Sequence, residues 1–313
     1  MNHELLERCD EFMQYGAIIQ KAIGADYEEC GVGAYYYLSS GAFPDAERIR
    51  TCKTLIKKRN GFFSDFRGYG LDILACMLAA TDDPEYRLEV AILAYQYLRA
   101  EFESSSYVPI LAFFFSEYLK EEQFELYTAR AKEIYNKMDK QHLLLTGYED
   151  LVFAGLFAMS GRSLEDLTEE SEMIYKYLRS DFIFNGNPLQ TLSHALTLCT
   201  GEPIKKAERT RDLLQILQKH RIHFPRSFPI VALGILANSG IDPTVICSDF
   251  MVVQDKLREM DHRLFPSKEN RYTFAVLVLA SYYMINSKEM TAAAIVRTIV
   301  LLISAAQASA ATM

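Results

Sequence analysis

The sequence predicts an all-α chain of consecutive antiparallel helical hairpins, each about forty residues long, and three observations lead there. The first is a comb of apolar residues. Leu98, Met138, Leu178, Leu217 and Leu257 follow one another at steps of 40, 40, 39 and 40, and four residues before them stand Ala94, Ile134, Ile174, Leu213 and Val253. Three residues earlier again come Ala91, Ala131, Ser171, Thr210 and Phe250, mostly small. A spacing of three then four marks one helix face, so each unit ends in an amphipathic helix whose stripe recurs at the repeat period. The second is that segments apolar nearly all round precede these helices, as expected of helices sandwiched between others. The third is the placing of Gly, Pro and Asp at the boundaries.

Taken in order, the apolar first helices are 71–80, 108–115, 151–159, 189–198, 228–237 and 274–284. Turns follow at Thr81-Asp82-Asp83-Pro84, Ser160-Gly161-Arg162-Ser163, Thr200-Gly201-Glu202-Pro203 and Ser239-Gly240-Ile241-Asp242-Pro243. Pro84, Pro203 and Pro243 suit the first helical position, where a missing N–H costs nothing, and Asp83 and Asp242 are placed to cap. The units are then about 61–101, 102–141, 142–181, 182–220, 221–261 and 262–302. The whole chain, 1–313, reads as a single helical-repeat domain: a less regular N-terminal unit within 1–60, regular repeats over 61–302 and an Ala-rich tail over 303–313. No segment shows the alternation of a strand. The array is an α/α superhelix or solenoid, or it closes into an α/α toroid; the residues leave both open.

Composition removes several function classes. Half the residues are hydrophobic and 24% charged, which excludes disorder. A net charge of −8 argues against a nucleic-acid surface, which needs many Lys and Arg to displace counterions. The local run Lys53, Lys57, Lys58, Arg59 reads as a solvated helix end. Six dispersed cysteines without a C-x-x-C pair fit neither a disulfide scaffold nor a zinc site. With Glu4, Glu7 and Asp10 in place of an apolar leader, the expected location is the reducing cytoplasm. The apolar stretch 292–306 is too short, and broken by Arg297, for a membrane span; it reads as a closing helix or a subunit contact.

Two segments carry a family likeness: Leu55-Ile56-Lys57-Lys58-Arg59-Asn60-Gly61-Phe62-Phe63-Ser64-Asp65-Phe66-Arg67-Gly68, and Gly186-Asn187-Pro188-Leu189-Gln190-Thr191-Leu192-Ser193-His194-Ala195-Leu196. With these and its Ala-rich tail the chain resembles a bacterial domain-of-unknown-function family, number four thousand and three, of Gram-positive species. The resemblance covers essentially the whole chain and implies no activity.

Candidate site residues are Asp65, Arg67, Gln190 and His194. Asp65 and Arg67 lie in a segment with glycines at 61, 68 and 70, which permit close backbone approach. This segment is either a binding loop or an inter-unit turn plugged by its aromatics. Gln190 and His194 share a helix face one turn apart, and imidazole serves as acid, base or ligand near neutral pH. The other reading is a histidine hydrogen-bonded to a neighbouring hairpin. No phosphate loop, dinucleotide fingerprint or helical metal motif is present, and no cofactor or metal is expected. Asp82-Asp83 reads as a cap rather than a magnesium site. The clusters Tyr35-Tyr36-Tyr37, Phe113-Phe114-Phe115 and Tyr282-Tyr283 either line a partner groove or pack the hairpins.

Without a catalytic signature, the leading reading is a scaffold binding a protein or peptide. A small-molecule binder or enzyme with a pocket inside a closed toroid is the alternative. A homo-oligomer formed through the C-terminal apolar helix is a third possibility.

Overall fold

The structure, a computed structural model, describes residues 3–24, 27–61, 64–68, 70–141, 147–182, 186–225, 229–259 and 268–284. These hold fourteen α-helices and no strand. They are α1 (His3–Ile23), α2 (Tyr27–Ser40), α3 (Ala46–Arg59), α4 (Leu71–Ala79), α5 (Pro84–Glu101), α6 (Tyr107–Tyr118), α7 (Phe124–Gln141), α8 (Asp150–Met159), α9 (Leu164–Leu178), α10 (Gly186–Leu198), α11 (Pro203–Lys219), α12 (Pro229–Ala237), α13 (Pro243–Glu259) and α14 (Lys268–Met284). The helices fall where the sequence places them, and neighbours along the chain pack most closely as α3 on α4, α5 on α6, α7 on α8, α11 on α12 and α13 on α14, with α4 on α5 and α10 on α11 less extensive. The second helix expected after α14, and the apolar stretch 292–306, lie outside the described residues.

All fifteen positions of the three combs are buried, and the principal one is at most 2% exposed throughout. The comb also reaches further back than the sequence reading took it. On α3 the buried residues are Ile49, Cys52 and Ile56, the same three-then-four spacing, 42 residues before Ala91, Ala94 and Leu98. The comb therefore extends into the N-terminal unit on α3, hidden by a cysteine on the comb and a longer step.

Boundary chemistry acts as the residues suggest. Asp83 accepts from the backbone N–H of Tyr86 at 3.1 Å, Asp242 from that of Thr244 at 2.8 Å, and Pro84, Pro203 and Pro243 open their helices. Gly161, Gly201 and Gly240 turn with positive φ (74°, 112° and 84°), a conformation that costs any other side chain. Helix ends receive a second device. Arg48 on α3 donates to the carbonyls of Ala79 (2.7 Å) and Asp82 (3.1 Å) beyond α4, Arg87 on α5 to Ser116 of α6, and Arg130 on α7 to Arg162 after α8. Each cation thus reaches forward from a second helix to the carbonyl end of the next first helix, where unpaired acceptors and the dipole favour positive charge.

Contacts divide the chain into two compact units, one with residues 3–14 and 165–284, the other with 15–164. In the second, α2 packs on α4, α6 on α8 and α5 on α7; in the first, α10 packs on α12, α12 on α14 and α11 on α13. First helices approach one another at glycines. A Cβ on Gly33 of α2 would stand 3.3 Å from the Cys76 sulfur of α4; one on Gly155 of α8 would strike Leu111 of α6, and one on Gly234 of α12 would strike Leu192 of α10. In the unit containing residues 3–14, the Phe12 ring lies 5.5 Å from Phe274, and Lys256 pairs with Asp10 at 3.0 Å.

The tyrosine and phenylalanine clusters serve mainly as core. Tyr35, Tyr36 and Tyr37 and Phe113, Phe114 and Phe115 are all buried. The cysteines are free thiols, five of them buried, and burial pushes Cys9 up to about 12 and Cys52 to about 11. The basic run on α3 is partly neutralised: Lys53 pairs with Asp72, and Arg59 with Glu89 at 2.9 Å. No described helix is long and apolar enough to cross a membrane.

Candidate binding site

At three places where one hairpin passes to the next, the edge between second helices is built with different results. At the first, a 3-10 turn at Asp65–Arg67 is capped by Ser64. Its Phe66 is buried, 5.1 Å edge-on from the Tyr95 ring of α5. The Asp65 carboxylate accepts from the Tyr95 hydroxyl at 2.9 Å and from the Ser104 hydroxyl, with the Arg99 guanidinium 3.8 Å away. Asp65 is thus a tie between turn, α5 and the start of the next hairpin, and its oxygens are already engaged. Arg67 is half-buried on the same turn.

At the edge between α9 and α11 the chain fills the space with a cation. Arg211 lies 4.3 Å from the Tyr177 ring centroid and donates to Asp181 at 2.8 Å and to the Tyr177 carbonyl at 2.7 Å.

Between these in sequence, the edge formed by α5, α7 and α8 stays open. A cleft of about 470 Å³ is lined by Phe102, Glu103, Lys132, Tyr135, Asp139, Gly147, Tyr148 and Leu151. Phe102 and Tyr135 meet edge to face at 5.7 Å, and Lys132 Nζ lies 4.9 Å from the Phe102 centroid. The Tyr135 hydroxyl donates to the Gly147 carbonyl and the Tyr148 hydroxyl to Glu103, both at 3.3 Å. Tyr148 is 51% exposed. Asp139 forms no hydrogen bond or ion pair among the described residues. Behind Gly147 sit two further carboxyls. Asp150 is buried and accepts from the Gly147 N–H at 3.0 Å; burial, then Asp150, raises Glu149 to about 7. Tyr135 is pushed up to about 12 by burial, then by Asp150, Asp139 and Glu149, a sign of the negative field at this wall.

Gln190 and His194 are both buried on α10, and they belong to the other unit from Asp65 and Arg67. Gln190, Ser193, His194 and Thr197 fall on one stripe of that helix, a polar seam in an otherwise apolar element. Ser193 donates to the Gln190 carbonyl at 2.7 Å and lies 3.1 Å from the Ser171 hydroxyl of α9, which explains the serine on the comb. Nearby, the fully buried Lys206 ammonium of α11 pairs with Glu170 of α9 and donates to the Cys199 carbonyl at 2.8 Å. The sequence reading missed this clamp. Its signal was position: Lys206 stands eleven residues before Leu217, as Arg87 stands before Leu98. The cleft residues were also missed, although Lys132 and Arg211 each stand six residues before their comb residue.

Exposed apolar side chains recur on the opposite ends of second helices. Tyr86, Leu126 and Val245 each stand twelve residues before the comb, and Leu126 borders a second groove of about 440 Å³ with Arg130, Glu133 and Leu164. Among the described residues, no group of three or more His, Cys, Asp or Glu is placed to hold a metal ion.

Comparison with known proteins gives a family and no function. A family model described as "Protein of unknown function (DUF4003)" matches residues 31–308. No curated protein matches the chain, and no solved structure does.

Proposed function

The chain belongs to the DUF4003 family, whose description assigns no activity, and from that premise we propose that it is a helical-repeat scaffold that binds a protein or peptide. The observation that carries this reading is the open edge between α5, α7 and α8. The edge before it is tied by the chain's own Asp65 and the α9/α11 edge is filled by Arg211, while here three aromatic side chains, one of them half exposed, wall an open cleft. Rigid aromatic surface beside polar rims is what partner anchors use, and repeat arrays supply such edges in series.

Panning a random peptide library against the full chain tests the reading. Peptides should enrich over an unrelated helical-repeat control, and Tyr148→Ser should weaken their binding at least tenfold while leaving the helical content intact. Absence of enrichment would overturn it. Loss of binding in Leu126→Ser but not in Tyr148→Ser would move the docking surface to the opposite helix ends.

A further inference from the structure

We infer that the cleft between α5, α7 and α8 takes a positively charged side chain of the bound peptide, an arginine guanidinium or a lysine ammonium, held by the rings of Phe102, Tyr135 and Tyr148 and the carboxylates of Glu103 and Asp139. The inference rests on the peptide-binding reading above and names what the peptide must carry.

The chain contains its own model of the complex. At the α9/α11 edge, Arg211 occupies the repeat position of Lys132, lies over a tyrosine ring at 4.3 Å and is fixed by a carboxylate at 2.8 Å. Ring faces attract cations through their quadrupole, and a carboxylate adds a charge-assisted hydrogen bond. At the α5/α7 edge the same ingredients are in place, but the resident cation is shorter. Lys132 reaches over Phe102 and forms no ion pair among the described residues, so Asp139 is left without a cation. The lining holds two carboxylates against one ammonium, with Glu149 and Asp150 behind Gly147. This charge balance repels an anionic occupant, and an apolar one would leave Asp139 desolvated and unpaired and Glu103 with the Tyr148 hydroxyl in place of a cation. The volume of about 470 Å³ falls within the range of ligand-sized sites. An entering guanidinium has room beside Lys132.

Butylguanidinium, butylammonium and the neutral butylurea, each added to the full chain and followed by ligand-observed saturation-transfer NMR, test the chemistry. The two cations should bind and butylurea should not. Glu103→Gln combined with Asp139→Asn should weaken cation binding at least tenfold. Lys132→Met, which removes the competing charge, should strengthen it by about fivefold, the order expected for one charge in a partly solvated site. Butylurea binding as well as butylguanidinium, or the double variant binding like wild type, would overturn the inference. The two levels separate cleanly. Enriched peptides that depend on Tyr148 but carry no Arg or Lys would leave the scaffold reading standing and remove the cationic one. Butylguanidinium bound through Glu103 and Asp139, with no peptide enriched by panning, would make the cleft a small-amine site and overturn the peptide occupant.

Discussion

Glu149 is a carboxyl that the fold holds toward its neutral form, and the consequence for stability can be worked out. Its ordinary value of 4.5 becomes about 7 in the fold, because burial and then Asp150 disfavour the charged form. Between those two pH values the folded state therefore holds more protons than the unfolded state, and stability falls as pH rises from about 4.5 to 7. Above that window the penalty is fully present. At two and a half pH units it reaches about 3 kcal/mol at most. Glu149→Gln should thus match wild type near pH 4.5 and exceed it at pH 8, measured by urea denaturation at both. A difference independent of pH would show that Glu149 ionises without penalty. Single residues were also where the sequence was hardest to read. Gln190 and His194 stand out in any one-dimensional view as polar intruders, yet both are buried on a polar seam of α10 whose Ser193 meets the Ser171 hydroxyl of α9. Asp65 stands out too, and its oxygens are bound by Tyr95 and Ser104, far away in sequence.

At the scale of elements the reading was far better, because helix faces and turns are written locally. The combs, the prolines at first helical positions and the capping aspartates each depend on residues within a few positions of one another. What local pattern does not carry is how closely two helices approach. Glycines inside apolar helices look like defects by propensity, since Gly costs about 1 kcal/mol relative to Ala in a helix. Gly155 is instead a contact point: the space a methyl would fill is occupied by Leu111 of α6. Gly155→Ala should therefore destabilise the protein by about 1–3 kcal/mol, the usual cost of overpacking, despite the gain in propensity. Thermal unfolding of Gly155→Ala beside the paired variant Gly155→Ala/Leu111→Val decides it. Rescue by the smaller side chain confirms the contact, and a stabilised single variant would show that α6 and α8 have room to spare. Element ends were less legible for the same reason. α14 begins at Lys268, before its apolar run, since a solvated first turn needs no apolar pattern.

For the molecule as a whole, the question is how the repeats share their stability. In a repeat array each unit touches only its neighbours, so energetic coupling should fade after one step along the comb. The unit containing residues 15–164 offers three consecutive rungs: Ile56 on α3, Leu98 on α5 and Met138 on α7, all at most 2% exposed. α5 packs against both α3 and α7. Truncating any one rung to alanine should cost about 2–5 kcal/mol, the range for a buried large aliphatic side chain. The interaction between rungs is the more telling quantity. Leu98→Ala with Met138→Ala removes adjacent side chains whose helices share a surface, so the double variant should depart from the sum of the singles by about 0.5 kcal/mol or more. Ile56→Ala with Met138→Ala skips a rung and should add within about 0.5 kcal/mol. Guanidinium denaturation of the three singles and two doubles gives both cycles. Equal coupling in the two would mean that the rungs unfold as one block, and the comb would then mark a shared core in place of a chain of nearest-neighbour contacts.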